Sequence, residues 1–420
     1  MDEPRPLRNK APRRTRPVPD GLVFWGLAAV ADPPRSFGRA FTTVPPPADF
    51  MPHPRRFVAL LTAVLALSGC KKEIDTQIQV KEVAKKYSWT ENTRLHGSER
   101  IVLNLGTAPD GLFLQQPAYF SSFVYRNGRL DYTAYVAGLT SDLKVRMPIN
   151  GRFFAAPVND SLVAIYNPRN PVITSFTEYI HLKQLDPAVV RIARPFPDYS
   201  PFGAVNQNDY LLFGYENQAS GRPFTFVLSR IQAPLVSGLP VRVSSQRVVI
   251  PRNPGATPFF RNITAVDDYF LVAIDGAGLY KVQQDGRVQR VLGPVGTDGI
   301  DAVFKWQGKV YATVEYNQLL VSPDDGATWT RYAGLPDYFN FTSYHVVQDS
   351  LVAVSHLAGA GNALFTLRFN GVKYTTRFLK NDGLDRAEVT SLAQLRDSVY
   401  IGTTSGLFVR PVNQFFESKP

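Results

Sequence analysis

The chain has 420 residues and 44% hydrophobic content, enough for a sizeable packed core. Its 33 Pro and 30 Gly argue against long helices, while 28 Phe and 19 Tyr favour strands. The formal charge of +11 is concentrated upstream: from Cys70 onward 36 basic residues face 30 acidic ones, a net of +6. No Lys/Arg block of the kind that tracks a phosphate backbone occurs there, which argues against a nucleic-acid partner.

Residues 1–50 are rich in Pro and Arg, as in Pro12-Arg13-Arg14-Thr15-Arg16 and Pro45-Pro46-Pro47. They read as an over-extended gene start, with translation beginning at Met51; a disordered Pro/Arg-rich arm is the alternative. Residues 51–69 have the layout of a secretory signal. Arg55 and Arg56 form a cationic flank, and Phe57 to Leu67 is an apolar run interrupted only by Thr62. The run falls short of the ~20 residues a membrane-spanning helix needs. Leu67-Ser68-Gly69-Cys70 then resembles the lipobox of bacterial lipoproteins. The resemblance implies cleavage before Cys70, the only cysteine, and a lipid on its sulfur. Two or three acyl chains give stable anchoring. Lys71 stands where Asp signals inner-membrane retention in enteric bacteria, which points to the outer membrane. The expected partner on this side is therefore the membrane, through the lipid on Cys70.

Residues 70–99 are polar and read as a tether, with a short helix or strand near Val80 to Trp89. Residues 100–420 read as one all-β domain. A turn residue followed by an apolar run recurs, starting at Asp160, Asp209, Asp268, Gly308, Asp349 and Asp397. The spacings of 49, 59, 40, 41 and 48 residues suit the four-stranded blades of a β-propeller. Asp301–Trp306, Tyr269–Ala273, Gly278–Val282 and Arg287–Leu292 exemplify the four kinds of strand. Leu112 to Asp131 belongs to a degenerate first blade. Seven blades are expected, with six or eight as alternatives, and a β-sandwich pair as the weaker architecture. The last unit is short after Val412, and a strand near Arg100 to Leu105 is expected to complete it.

Ser322-Pro323-Asp324-Asp325-Gly326-Ala327-Thr328-Trp329 matches S-x-D-x-G-x-T-W and resembles the Asp-box (BNR repeat) of sialidases, photosystem II assembly factors and sortilin-type receptors. The resemblance implies a structural turn between the third and fourth strands of a blade. Ser322 and Asp324 would bond turn amides, Gly326 would take a positive φ, and Trp329 would be largely buried beneath the turn. Val399 to Phe408 resembles the I-G-T-x-x-G-L blade signature of two-component sensor propellers, with a looser copy at Ala273 to Tyr280.

Candidate chemistry is sparse. Phe260-Arg261-Asn262-Ile263 faintly resembles the sialidase Phe/Tyr-Arg-Ile-Pro motif without its proline. Asp324-Asp325 reads as a turn pair, and Asn381-Asp382-Gly383-Leu384-Asp385 as a solvated loop, with a calcium site formed by the same residues as the weaker alternative. The five histidines are scattered, and no zinc, P-loop or dinucleotide motif occurs. No catalytic residue, metal or cofactor is therefore expected. The leading expectation is a non-enzymatic, membrane-anchored propeller binding a protein, peptide or glycan at the bacterial cell envelope. A sialidase-like carbohydrate hydrolase and an envelope assembly scaffold are the alternatives.

Overall fold

The computed structural model describes residues 87–418, apart from 96–98, 128, 168–177, 197–199, 219–223, 233–240, 252–258, 296–298, 315–317, 333–340, 358–360, 370–372 and 385–386. All of these belong to the compact unit Val83–Pro420. The expectations for residues 1–50, the signal 51–69 and Cys70 lie outside the described residues.

The local unit is a hairpin. Each turn-led run found in the sequence is the second strand of a sheet: Leu162–Tyr166, Tyr210–Asn217, Tyr269–Ile274, Lys309–Val314, Ser350–Leu357 and Ser398–Thr403. The left-handed residue of the turn is Asp209, Asp267, Gln307, Gln348 or Arg396, at φ between 46° and 62°. In the last four hairpins it stands one position before the Asp or Gly that marks the turn in the sequence.

Seven sheets follow one another along the chain. Blade I is Asn104–Ala108, Gly111–Gln116, Tyr119–Arg126 and Arg129–Ala137, enclosing the expected Leu112 to Asp131. Blade II has three described strands, Phe154–Asn159, Leu162–Tyr166 and Glu178–His181. Blade III joins Gly203–Val205, Tyr210–Asn217, Phe224–Gln232 and Arg242–Ile250, and takes in Val189–Ile192 and Val145–Arg146 as extra strands. Blade IV runs from Phe260 to Leu292, blade V from Ile300 to Tyr332 and blade VI from Phe341 to Phe378. Blade VII consists of Val389–Leu395, Ser398–Thr403, Gly406–Pro411 and, from the other end of the domain, Thr90–Asn92. The fold is a seven-bladed β-propeller.

Burial explains why the units assemble. Second strands such as Tyr269–Ile274 are buried along their whole length, whereas the outermost Val288–Leu292 is largely open. A single sheet leaves both faces of its inner strands to be covered by its neighbours. Six apolar clusters do this, each joining adjacent blades, and together they run round the ring. In one of them Phe304 of blade V stacks on Tyr344 of blade VI at 4.3 Å, worth about 0.5–1.5 kcal/mol beyond area burial. Gly402 fits this crowding: a Cβ there would meet Ser391 Oγ and Val102 Cγ1 at 2.7 Å.

The ring closes differently from the expectation. Arg100–Leu105 does not complete blade VII; Asn104–Ala108 is the first strand of blade I. The closing strand is Thr90–Asn92, antiparallel to Gly406–Pro411, with Thr90 opposite Val409 and Asn92 opposite Leu407. Just before it, Trp89 is buried in the core of blades VI and VII. Its indole donates to Lys380 O at 3.2 Å and meets Phe415 edge-on. Ser88 donates through both N and Oγ to the Asp382 carboxylate. Arg410, 1% exposed, donates to Lys380 O and Glu417 and fixes the short helix Val412–Phe415 nearby.

Candidate functional site

Between blades I and II the chain leaves the ring and crosses its inside. Leu139 packs in the core between these blades, and Thr140 N donates to Val158 O at 2.9 Å. Leu143 to Arg146 then runs in extended form, with Val145–Arg146 pairing in parallel with Gly203–Ala204 of blade III. Alternation sorts its side chains. Leu143 and Val145 are buried in the core of blades II to IV, which leaves Lys144 and Arg146 for the other side. Two buried amides hold the backbone: Gln115 donates to Leu143 O and Asn104 to Val145 O, each at 2.7 Å.

The two cations reach across the axis. Lys144 Nζ donates to Thr390 O of blade VII at 2.7 Å. Arg146 Nη1 donates to Thr264 Oγ1 of blade IV at 3.0 Å and to Val303 O of blade V at 3.3 Å. Both line a cavity of about 270 Å³ together with Asn104, Asn262, His345 and Glu388, among others. His345 of blade VI has its Nε2 3.0 Å from Ser343 Oγ.

The electrostatics follow from crowding. Lys144, Arg146 and His345 are half-buried, with protein surrounding them. Burial, then the charge of Arg146, lowers the Lys144 ammonium to about 8. Burial alone lowers Arg146 to about 10. His345 falls to about 3, through burial first and then repulsion by Arg146 and Lys144, so it is neutral at ordinary pH. Among the described residues no carboxylate forms an ion pair with either cation. The site can hydrogen-bond and attract negative charge. For general acid–base chemistry on a glycosidic bond, Glu388 is the one carboxylate among its described lining residues.

The motif read from the sequence lies elsewhere, on the turn between the third and fourth strands of blade V. Ser322 Oγ accepts from Gly326 N and donates to Asp324 Oδ1, both at 2.8 Å. The Asp324 carboxylate accepts from Thr328 N and Oγ1, bonds that hold its pKa below the usual range. Gly326 has φ +95°. Trp329 differs from the expectation of deep burial: it is half-buried. Its indole lies over the outer edge of blade IV and donates to Val291 O and Gly326 O at 3.1 Å, so one face stays open to water. Asp325 accepts from Tyr269 of blade IV and Lys305 of blade V, an inter-blade link. Ser322, Asp324, Gly326 and Trp329 are all absent from the cavity wall.

The other candidates are structural. Arg261 is neutralised by Asp275 at 2.9 Å and Asp301 at 3.1 Å, and does not line the cavity. Asp382 is committed to Ser88, and Asp385 lies outside the described residues. Among the described residues no group of three or more His, Cys, Asp or Glu is placed to hold a metal. A second concavity of about 700 Å³ lies where blade III meets blade IV, beside the exposed pair Phe196 and Phe259. The residues that sequence reasoning missed are Lys144 and Arg146.

No family matches the sequence, and no curated protein does. Solved structures are similar to it in fold. The β-propeller domain of Cps50 (Swd1) from Myceliophteria thermophila superposes at TM-score 0.50 with 9% identity, over 76% of this chain and 98% of that one. BamB from Moraxella catarrhalis gives 0.40 and 12%, over 75% and 84%. The extracellular domain of the one component system BT4673 from B. thetaiotaomicron gives 0.44 and 13%, over 77% of this chain and 40% of that one. At such identities the likeness concerns the fold alone.

Proposed function

We propose that this propeller is a lipid-anchored binding protein of the bacterial cell envelope, cut before Cys70 and holding a protein, peptide or glycan ligand. The observation that carries the binding role is the site on the propeller axis. The chain's own strand crosses it and leaves a small cavity lined by cations, amides and hydroxyls. These are groups that fix a ligand's orientation. A glycosidase of the two-carboxylate type needs a pair flanking the scissile bond, whereas the described residues of this wall contribute Glu388. The anchoring half of the reading rests on the cationic flank, the apolar run and Leu67-Ser68-Gly69-Cys70. The lipid would tether the binding domain to the membrane through residues 71–86.

The test is metabolic labelling with an azido fatty acid, followed by membrane fractionation. Wild-type chain is expected to take up label and sediment with membranes, and Cys70→Ala to lose the label. Label that persists on Cys70→Ala would remove the lipoprotein assignment. Envelope ligands are sought by cross-linking in intact cells. A product that accumulates with wild type and disappears when the cavity is altered supports the binding role.

A further inference from the structure

The crossing strand brings two cations into one cavity, and among the described residues no carboxylate is ion-paired with either. A pair of this kind that only braced the fold would spend its donors on the protein. Here Lys144 uses one N–H on Thr390 O, and Arg146 uses the two on Nη1. An ammonium carries three donors and a guanidinium five. Among the described residues the other N–H groups of both make no hydrogen bond to protein, and both side chains are half-buried on the cavity wall. They therefore face the cavity. Glu388, the carboxylate among the described wall residues, is exposed and forms no ion pair with either cation.

We propose that the axial cavity binds a compact oxyanion, the carboxylate or phosphate group of a ligand, between Lys144 and Arg146. The anion supplies the negative charge that the described residues do not place against them, and takes up their remaining donors. Arg146 offers the planar fork that suits an oxyanion, and Lys144 a point charge beside it. Neutral His345 and Ser343 close the wall on the blade VI side without adding charge. At about 270 Å³ the cavity falls just below the usual range for ligand pockets, roughly 300–1,000 Å³, which fits a terminal acidic group better than a whole folded partner. This inference rests on the binding role proposed above and names the chemistry of the ligand.

The test uses the full chain in detergent, titrated with sodium phosphate or sodium acetate against sodium chloride at equal ionic strength. Calorimetry and thermal unfolding are the readouts. Saturable binding of at least one oxyanion, with a rise in melting temperature beyond the chloride control, is the expected result. Phosphate alone indicates a phosphoryl ligand, and acetate alone a carboxylate. Lys144→Met and Arg146→Met should each weaken affinity at least tenfold. Lys144→Arg should recover most of it, and Arg191→Met, paired with Glu216 away from the cavity, should change nothing. Affinity unchanged in Lys144→Met and Arg146→Met would mean an adventitious ion only and would overturn the proposal, as would no binding above chloride. Should the Met variants fail to fold, the His345 ring resonance of wild type decides. It should move with the same midpoint as the heat, while exposed His181 stays still, and a stationary His345 overturns the site. Absence of oxyanion binding in a chain that still takes up fatty-acid label and still gives a cavity-dependent cross-link would overturn this inference alone, whereas loss of the label or of the cross-link would remove the reading it rests on, so the two fail separately.

Discussion

His345 shows how one buried side chain converts crowding into pH dependence. Its pKa of about 3 in the folded state lies below its ordinary 6.5, so the unfolded chain binds the proton more readily. Above pH 6.5 both states are neutral there and the group is silent. As pH falls from 6.5 towards 3 the unfolded state gains a proton the folded state refuses, and stability is lost. The groups acting on it are Lys144 and Arg146 from the crossing strand, with the Leu392 backbone of blade VII as hydrogen-bond partner. In urea unfolding between pH 6.5 and 5, wild type should lose stability with acidification more steeply than His345→Gln. The difference is bounded by about 1.4 kcal/mol per pH unit. Equal slopes would show that His345 takes its proton in the fold. The sequence offered little sign of this environment. Leu143-Lys144-Val145-Arg146-Met147 alternates like any half-exposed strand, and nothing local says that its polar face turns to the axis instead of bulk water. By contrast Ser322, Asp324, Thr328 and Gly326 were legible, because their bonds close within a few residues of one another. Trp329 was legible in position but not in burial, since its depth is set by the edge of another blade.

At the scale of elements, the second strand of each blade was the clearest feature. Its apolar run is buried on both faces and begins at a turn, so composition and spacing agree. The closing strand Thr90-Glu91-Asn92 was invisible for the opposite reason. It is an outermost strand with an exposed or half-buried pattern, so its residues carry no apolar signature. What places it is the staple beside it, Trp89 and the Ser88–Asp382 bonds, made across 294 residues of sequence. Trp89→Ala empties a site that is 2% exposed and should destabilise by about 3–5 kcal/mol in denaturant unfolding. Trp89→Phe keeps the Phe415 contact and should cost less, since it loses mainly the bond to Lys380 O. A cost for Trp89→Ala within about 0.5 kcal/mol, the range of ordinary surface changes, would mean that the segment is loosely held and the ring is closed by other means.

At the scale of the whole molecule, repeat domains tend to lose cooperativity because each unit touches only its neighbours. This propeller has a second connection. The crossing strand bonds to blades I, III, IV, V and VII, and His345 places blade VI within its field. Removing one blade therefore disturbs strand contacts on the far side of the ring. Calorimetry should show one transition, with calorimetric and van't Hoff enthalpies nearly equal. Two resolved transitions would show that the blades unfold in groups and that the axial bonds contribute little to coupling.

The shared seventh blade also sets an order of events during synthesis. Residues 90–92 leave the ribosome long before the strand they pair with, Gly406–Pro411. Until then the segment made first has no place to dock, and the newest blade shows a bare backbone edge open to stray pairing with another chain. Assembly cannot finish by adding one blade after another in the order of translation. It waits for the two ends of the domain to meet, so the nascent propeller stays exposed to proteases and aggregation until Gly406–Pro411 is complete.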